Sequence, residues 1–352
     1  MRLQTSASHE RIESFTTPDG SERSCARPAI VGEMTVLIDP ARWPAHGTTW
    51  AHLVSDTSLT ELHAFARSQG LARRRFDLDH YDVRVDEVSR LVAAGAEPVT
   101  GHELARRLEQ SGLRIPQAKR TAARPEARLA ELRVWWDELR EAGRPAVDTR
   151  AWDDAGERLL ARWAEPHRGY HSVEHLHEVL LHLDLLATCG EPLPREALLA
   201  AWFHDAVYDG RPGEDERRSA DLARDELSAL GELPAVTDAV HRLILSTDPG
   251  VPPDTVLEPG DAHAAAMLGD ADLAILAAPT ERYDEYVRGV RREYAHVADD
   301  AFVEARLAVL QELLDRRELF GTSAASKLWD QRARTNLATE IRLLTEKRPA
   351  GR

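Results

Sequence analysis

Three short strings hold the residues whose types suit metal chemistry. Tyr170-His171-Ser172-Val173-Glu174-His175 is followed by Trp202-Phe203-His204-Asp205 and then by Gly269-Asp270-Ala271-Asp272. Each lies among apolar residues at helical spacing, with Val173, Leu176, Leu180 and Leu183 around the first and Leu198, Leu199, Trp202 and Phe203 around the second. Polar groups set there lie beside a core, where a carboxylate or imidazolium is costly unless paired. A divalent cation held by two imidazoles and two carboxylates removes that cost. Neighbouring helix positions point about 100° apart, so His204 and Asp205 converge only on something lodged between their directions. With His175 from the preceding helix and Asp272 from a later one, such a site ties three helices together. It leaves coordination positions for water and a substrate oxygen. His171 and Asp270 compete for the first and last of these roles. Mixed nitrogen and oxygen ligands suit Mn, Fe, Co, Ni or Zn better than Ca.

The order His, His-Asp, Asp on a helical frame resembles the HD superfamily of metal-dependent phosphohydrolases. The strings YHSVEH, AAWFHDAVYD, EDERRSA, LGDADLAIL and VRREYAHV resemble, in that order, a bacterial branch of it over about residues 151–338. The resemblance implies an all-α fold, one divalent metal held by His175, His204, Asp205 and Asp272, and hydrolysis of a phosphate ester or anhydride. By analogy the substrate is small and nucleotide-like. Members of the branch often carry Thr followed by one or two His before the DADL string. Here Thr247 is followed by Asp248 and Pro249, and only His241 and His263 lie between the HD pair and Asp272, so we read a single metal. The branch also tends to carry Asn where this chain has Asp215, before Glu216.

A metal-assisted hydrolysis needs a proton acceptor and cations for the charge developing on phosphorus. Asp209, spaced one helical turn past Asp205, and Glu216, after the loop 210–213, are the catalytic candidates. His171, Arg292 and Tyr294 are read as substrate contacts, with Arg291 and Arg168 as further cations. Against this stands the reading of Arg291, Arg292 and Glu293 as a solvated helix face, which their spacing favours.

These residues need elements to position them. An apolar run at 36–38 reads as a short strand. Residues 56–58 can cap a helix over Leu59–Ser68 that Gly70 stops. Residues 74–83 look extended, and helices near 85–94 and 101–110 flank a strand-like 97–99, which makes a small α/β unit over 34–115. This stretch resembles a small bacterial domain of unknown function. It is dense in Asp39, His46, His52, Asp56, Asp79, His80 and Asp82, which admits a metal or phosphate site with Arg73, Arg74 and Arg75 as anion contacts. No spacing there is diagnostic, and capping and turn roles are the favoured reading. Residues 116–128 carry Lys119, Arg120, Arg124 and Arg128 without an apolar face and read as a linker. From 129 to 345 the pattern is helical at 129–141, 155–163, 173–187, 195–208, 216–230, 235–246, 281–294, 300–316 and 324–345. The Trp135-Trp136 pair reads as core. The expected fold class is two domains, a small α/β domain plus an all-α HD-type domain, mostly α overall.

Composition narrows the function classes. The chain has 352 residues with 45 Lys and Arg against 60 Asp and Glu, a net charge of −15, which argues against general affinity for nucleic acid or anionic membranes. No run approaches the roughly 20 apolar residues of a membrane helix. Cys25 and Cys189 are too few for a disulfide scaffold and suit a reducing compartment, read as the cytoplasm. Residues 1–33 are polar and read as a disordered leader, with Met34 as an alternative start. The partner expected is a small phosphorylated compound, with neither membrane nor nucleic acid. The rival reading is a non-catalytic metal- or nucleotide-sensing module that signals through the N-terminal domain. A third gives the N-terminal unit the chemistry.

Overall fold

The structure, a computed structural model, describes residues 35–45, 47–143 and 148–347. The expected leader, the start at Met34, Cys25 and His46 lie outside the described residues.

The N-terminal part is a sheet with helices on both faces. Its elements are β1 (Val36–Ile38), β2 (Trp43–Ala45), β3 (Thr48–Ser55), α1 (Leu59–Ser68), β4 (Phe76–Asp77), β5 (His80–Arg84), α2 (Val85–Ala93), β6 (Glu97–Pro98) and α3 (Gly101–Gln110). The strand order is β4-β5-β3-β1-β6, with β2 paired to β3. All pairs are antiparallel except β1 with β6. Strand side chains alternate between faces. Accordingly Val36, Ile38, Ala51, Leu53, Tyr81 and Val83 enter one core with Leu62 and Ala66 of α1 and Leu91 of α2. Leu37 and Val54 meet Leu104 and Leu108 of α3 on the other side. Ser58 caps α1 by accepting from the Glu61 amide at 3.2 Å, as its position before the apolar stripe requires.

The rest is helical: α4 (Arg120–Glu141), α5 (Thr149–Trp163), α6 (Val173–Thr188), α7 (Arg195–Phe203), α8 (Glu214–Ala229), α9 (Pro234–Leu245), α10 (Ala262–Leu273), α11 (Thr280–Glu293), α12 (Asp299–Asp315) and α13 (Ser323–Lys347). A small α/β region followed by a helical part is therefore the fold class, as expected from the sequence. Buried tryptophans anchor the helical core. Trp136 and Trp152 stack at 4.5 Å, and each indole N–H donates to the other's backbone carbonyl, at 2.8 and 2.9 Å. Trp163 donates to the Trp202 carbonyl at 2.9 Å. These bonds satisfy polar handles that burial would otherwise leave costly. Trp135 is buried too, as its reading as core requires. No described helix is long and apolar enough to cross a membrane.

Three of the differences from expectation bear on the site or its support. The sequence pattern does not predict the central strand β3. The stretch 116–128, read as a linker, is helical from Arg120 onward, because Arg120 and Arg124 pair with Asp77 of the sheet instead of needing an apolar face. The helix expected over 195–208 stops at Phe203. Continuing it would require the Asp209 amide to donate to the Asp205 carbonyl. The amide donates instead to Asp215 at 2.8 Å, and the carbonyl accepts from Arg168 at 2.8 Å.

Candidate metal centre

The four predicted ligands meet: His175, His204 and Asp272 place one ligand atom each within 4.8 Å of one another, and Asp205 stands beside both histidines. His175 is the third residue of α6, His204 follows the last residue of α7, Asp205 is next in the turn, and Asp272 lies in the last turn of α10. The His175 Nε2 is 3.3 Å from the His204 Nε2 and 3.1 Å from Asp272 Oδ1. The His204 Nε2 is 3.8 Å from Asp272 Oδ1 and 3.3 Å from Asp205 Oδ2, and His175 Nε2 is 3.7 Å from that same oxygen. Both imidazoles are about 1% exposed, whereas the Asp272 side chain is 31% exposed, so the cluster opens to solvent on the α10 side. The His204 Nδ1 faces the Ala201 carbonyl at 2.9 Å, and donating its proton there leaves Nε2 as the free nitrogen.

The charges of the cluster are coupled to one another. Burial opposes charge on His204, yet Asp205 and Asp272 push its pKa well above the ordinary value. Burial likewise opposes charge on both carboxylates, and the histidines hold both below the usual carboxylate range. Two ring nitrogens 3.3 Å apart, each beside carboxylate oxygens, fit a donor set aimed at one divalent ion. The two-nitrogen, two-oxygen chemistry also fits the metals named from sequence.

The loop beside the cluster is pinned by Glu293. Glu293, the last residue of α11, accepts the backbone amides of Gly169, Tyr170 and His171 at 2.7–2.8 Å through Oε1. Its Oε2 is 2.9 Å from His171 Nδ1 and accepts from the Tyr208 hydroxyl at 3.2 Å. Burial opposes charge on Glu293, yet His171 and these amides bring its pKa down to about 2. His171 stacks on Tyr208 at 4.2 Å and presents Nε2 4.0 Å from Asp205 Oδ2. It therefore stands beside the four converging groups, one layer out. Burial works against its proton, and Glu293 and Asp205 raise its pKa above the ordinary histidine value. The buried Tyr170 hydroxyl has no hydrogen-bond partner among the described residues, and it feels the Asp272 charge.

The structure corrects the assignments of Asp270 and Asp209 and leaves Glu216 near the site. Asp270 points away from the cluster: two residues from Asp272 on a helix, it accepts the Gly321 and Thr322 amides at 2.6 and 2.7 Å, ahead of α13. Asp209 shares no helical face with Asp205, because the helix has ended; its exposed carboxylate pairs with Arg218 at 2.5 Å. Glu216 is half-buried in the first turn of α8 and accepts the Gly213 amide at 2.6 Å. Burial raises its pKa, and the Asp205 charge adds to that. Asp215 organises the loop by accepting the Asp209 and Arg211 amides.

The cations are engaged by backbone carbonyls and carboxylates. Arg168, buried, donates to the carbonyls of His171, Asp205 and Ala206 and so braces the two loops of the site. Arg291 donates to the Tyr294 and Val297 carbonyls and pairs with Asp299, and Arg292 donates to the Gly169 carbonyl. Tyr294 packs on His296 and Phe302. His241 faces Asp221 and His263 faces the Pro192 carbonyl, so neither adds to the cluster. The sequence reading set Glu293 on a solvated helix face and missed its hold on the 169–171 backbone. Its position in VRREYAHV was visible, but its partners lie over 120 residues away.

Compared with known proteins, residues 36–111 match a family described as "Protein of unknown function (DUF4031)". No curated protein and no solved structure matches the chain.

Proposed function

We propose that the helical part is a metal-dependent phosphohydrolase that cleaves a phosphate ester or anhydride of a small, nucleotide-like compound in the cytoplasm. The observation that supports this most is the approach of two buried imidazole nitrogens to 3.3 Å, flanked by carboxylate oxygens of Asp205 and Asp272. The ordered HD-like strings point the same way. His175, His204, Asp205 and Asp272 would hold one divalent ion of the Mn, Fe, Co, Ni or Zn class. When bound, such an ion supplies polarisation of a phosphoryl oxygen and acidification of a water.

The remaining chemistry belongs to the chain. His171, oriented by Glu293 and stacked on Tyr208, is the group assigned to hold a proton near the leaving oxygen. Glu216 is the carboxylate assigned to accept one, since burial has already raised its pKa. Arg168 fixes the backbone of both His171 and Asp205 and so keeps the two sides in register.

The test is a phosphate-release screen over nucleotides and simple phosphomonoesters with Mn, Co, Ni, Mg or Zn added. Metal-dependent release that disappears in Asp205→Ala is the expected result. Stoichiometric metal without release from any compound would turn the reading toward the non-catalytic sensor.

A further inference from the structure

We propose that the N-terminal sheet carries a second metal site, in which His52, His80 and Asp82 bind a divalent first-row transition ion and leave a coordination position open to solvent. The topology brings the three together. The register of β3 with β5 sets His52 opposite Asp82, and His80 lies two residues from Asp82 on the same strand. Residues two apart on a strand share a face. The intervening Leu53, Tyr81 and Val83 are buried in the core on the other face. One ligand atom from each of the three lies within 4.8 Å of the others, and the two imidazoles meet at 4.9 Å between ring centres.

Both histidines are braced in the manner of metal-ligating imidazoles. The His52 Nδ1 is 3.0 Å from Asp39 Oδ2, and Asp39 is fixed in turn by accepting the His52 amide at 2.6 Å. The His80 Nδ1 is 2.7 Å from Asp79 Oδ1, and Asp79 accepts the Ile115 amide at 2.7 Å with Arg120 beside it. Asp39 and Asp79 are buried, so each is a rigid orienting partner. A carboxylate on Nδ1 leaves Nε2 as the donor, which is the carboxylate–histidine–metal arrangement. His80 Nε2 is 3.6 Å from Asp82 Oδ1. Two nitrogen or oxygen ligands of a tetrahedral ion stand about 3.3 Å apart, so little movement is needed.

Simple ion pairing accounts for His80 between Asp79 and Asp82. It does not account for a second imidazole, braced by a separate buried carboxylate, standing against the first. Two histidines and one carboxylate are the donor set of open transition-metal sites. Trp43, 58% exposed and 5.5 Å from the His52 ring, walls the site on one side. Arg73 and Arg75, read from sequence as anion contacts, are engaged with Glu138 and Glu87.

The test is Zn2+ titration of the full chain against a chelating indicator, with Co2+ absorption as a second readout of coordination. The wild type is compared with His52→Gln/His80→Gln, Asp82→Asn and His204→Gln. Loss of one zinc per chain in the double variant, with at least tenfold weaker binding of that zinc and a changed Co2+ spectrum in Asp82→Asn, is expected. That zinc remains in His204→Gln. Asp82 is at the surface, so its variant carries the test if the double variant does not fold. Zinc number and affinity unchanged from wild type in Asp82→Asn, or a wild type whose only zinc is the one lost in His204→Gln, overturns the proposal.

Discussion

Glu293 fixes His171 by accepting three consecutive amides with one oxygen and facing the imidazole with the other. Glu293→Gln removes the charge from these bonds, so about 1–3 kcal/mol of stability should be lost. Metal content should stay unchanged, because none of the four converging groups touches Glu293. Chemical denaturation and metal analysis of the same preparation check both halves. His63 contributes a pH dependence of its own. It is buried against the Tyr81 hydroxyl at 2.8 Å; burial, with Arg73 and Arg67, lowers its pKa from 6.5 to about 2. The folded protein thus refuses a proton that the unfolded chain accepts below pH 6.5. Stability should fall as pH drops from 6.5 towards 2, by up to roughly 1.4 kcal/mol per pH unit from this group. Unfolding free energies of the wild type and His63→Gln between pH 7 and pH 4.5 should diverge by that slope; parallel curves would contradict it. At this scale the four converging residues were legible, because paired polar groups inside apolar helical stripes have few explanations. The bracing contacts of Arg168 and Glu293 were not, because a charged residue's partner is set by tertiary structure and not by its neighbours in sequence.

Helix α11 reaches the site by a close backbone crossing. A Cβ on Gly289 would stand 2.8 Å from the Gly169 carbonyl oxygen and 3.0 Å from the Tyr170 Cβ, and one on Gly169 would stand 2.4 Å from the Gly289 oxygen. Gly289→Ala should push α11 away from the 168–171 loop, cost about 1–3 kcal/mol through overpacking, and loosen the hold of Glu293 on His171. Gly269→Ala is the control. That position is inside α10 with nothing within 4 Å of a new Cβ, so the same substitution should stabilise by about 0.5–1 kcal/mol. Thermal melts that rank the two variants in the opposite order would refute this account of the crossing. Helices with a clear apolar stripe, such as α1, α3 and α6, could be read directly from sequence. Strand β3 escaped because its outward face carries Thr48, Trp50 and His52, so its apolar residues form no continuous run. The end of α7 escaped because Asp215 and Arg168, from outside the helix, take the backbone groups that would have extended it.

The α/β part and the helical part meet through a buried charge. Arg73 donates its amide to Asp184 at 2.6 Å and its guanidinium to Glu138 at 2.9 Å, with Glu131 at 3.5 Å and the Trp135 ring 4.6 Å beneath it. Arg67 pairs with Glu138 as well. Removing Arg73 leaves carboxylates buried without their main partner, so Arg73→Ala should cost about 3–5 kcal/mol in chemical denaturation. Such a seam joins Arg73, read in sequence only as an anion contact, to Glu138 and Asp184, 65 and 111 positions away, which explains why the contact was invisible in the chain alone. The fold class was readable because helix and strand periods are local; the junction was not. The most direct test of the central reading is anomalous diffraction from crystals grown with Mn2+. A peak among His175 Nε2, His204 Nε2, Asp205 and Asp272 that is absent in Asp205→Ala is predicted, whereas a wild-type map with no peak there would contradict the metal centre.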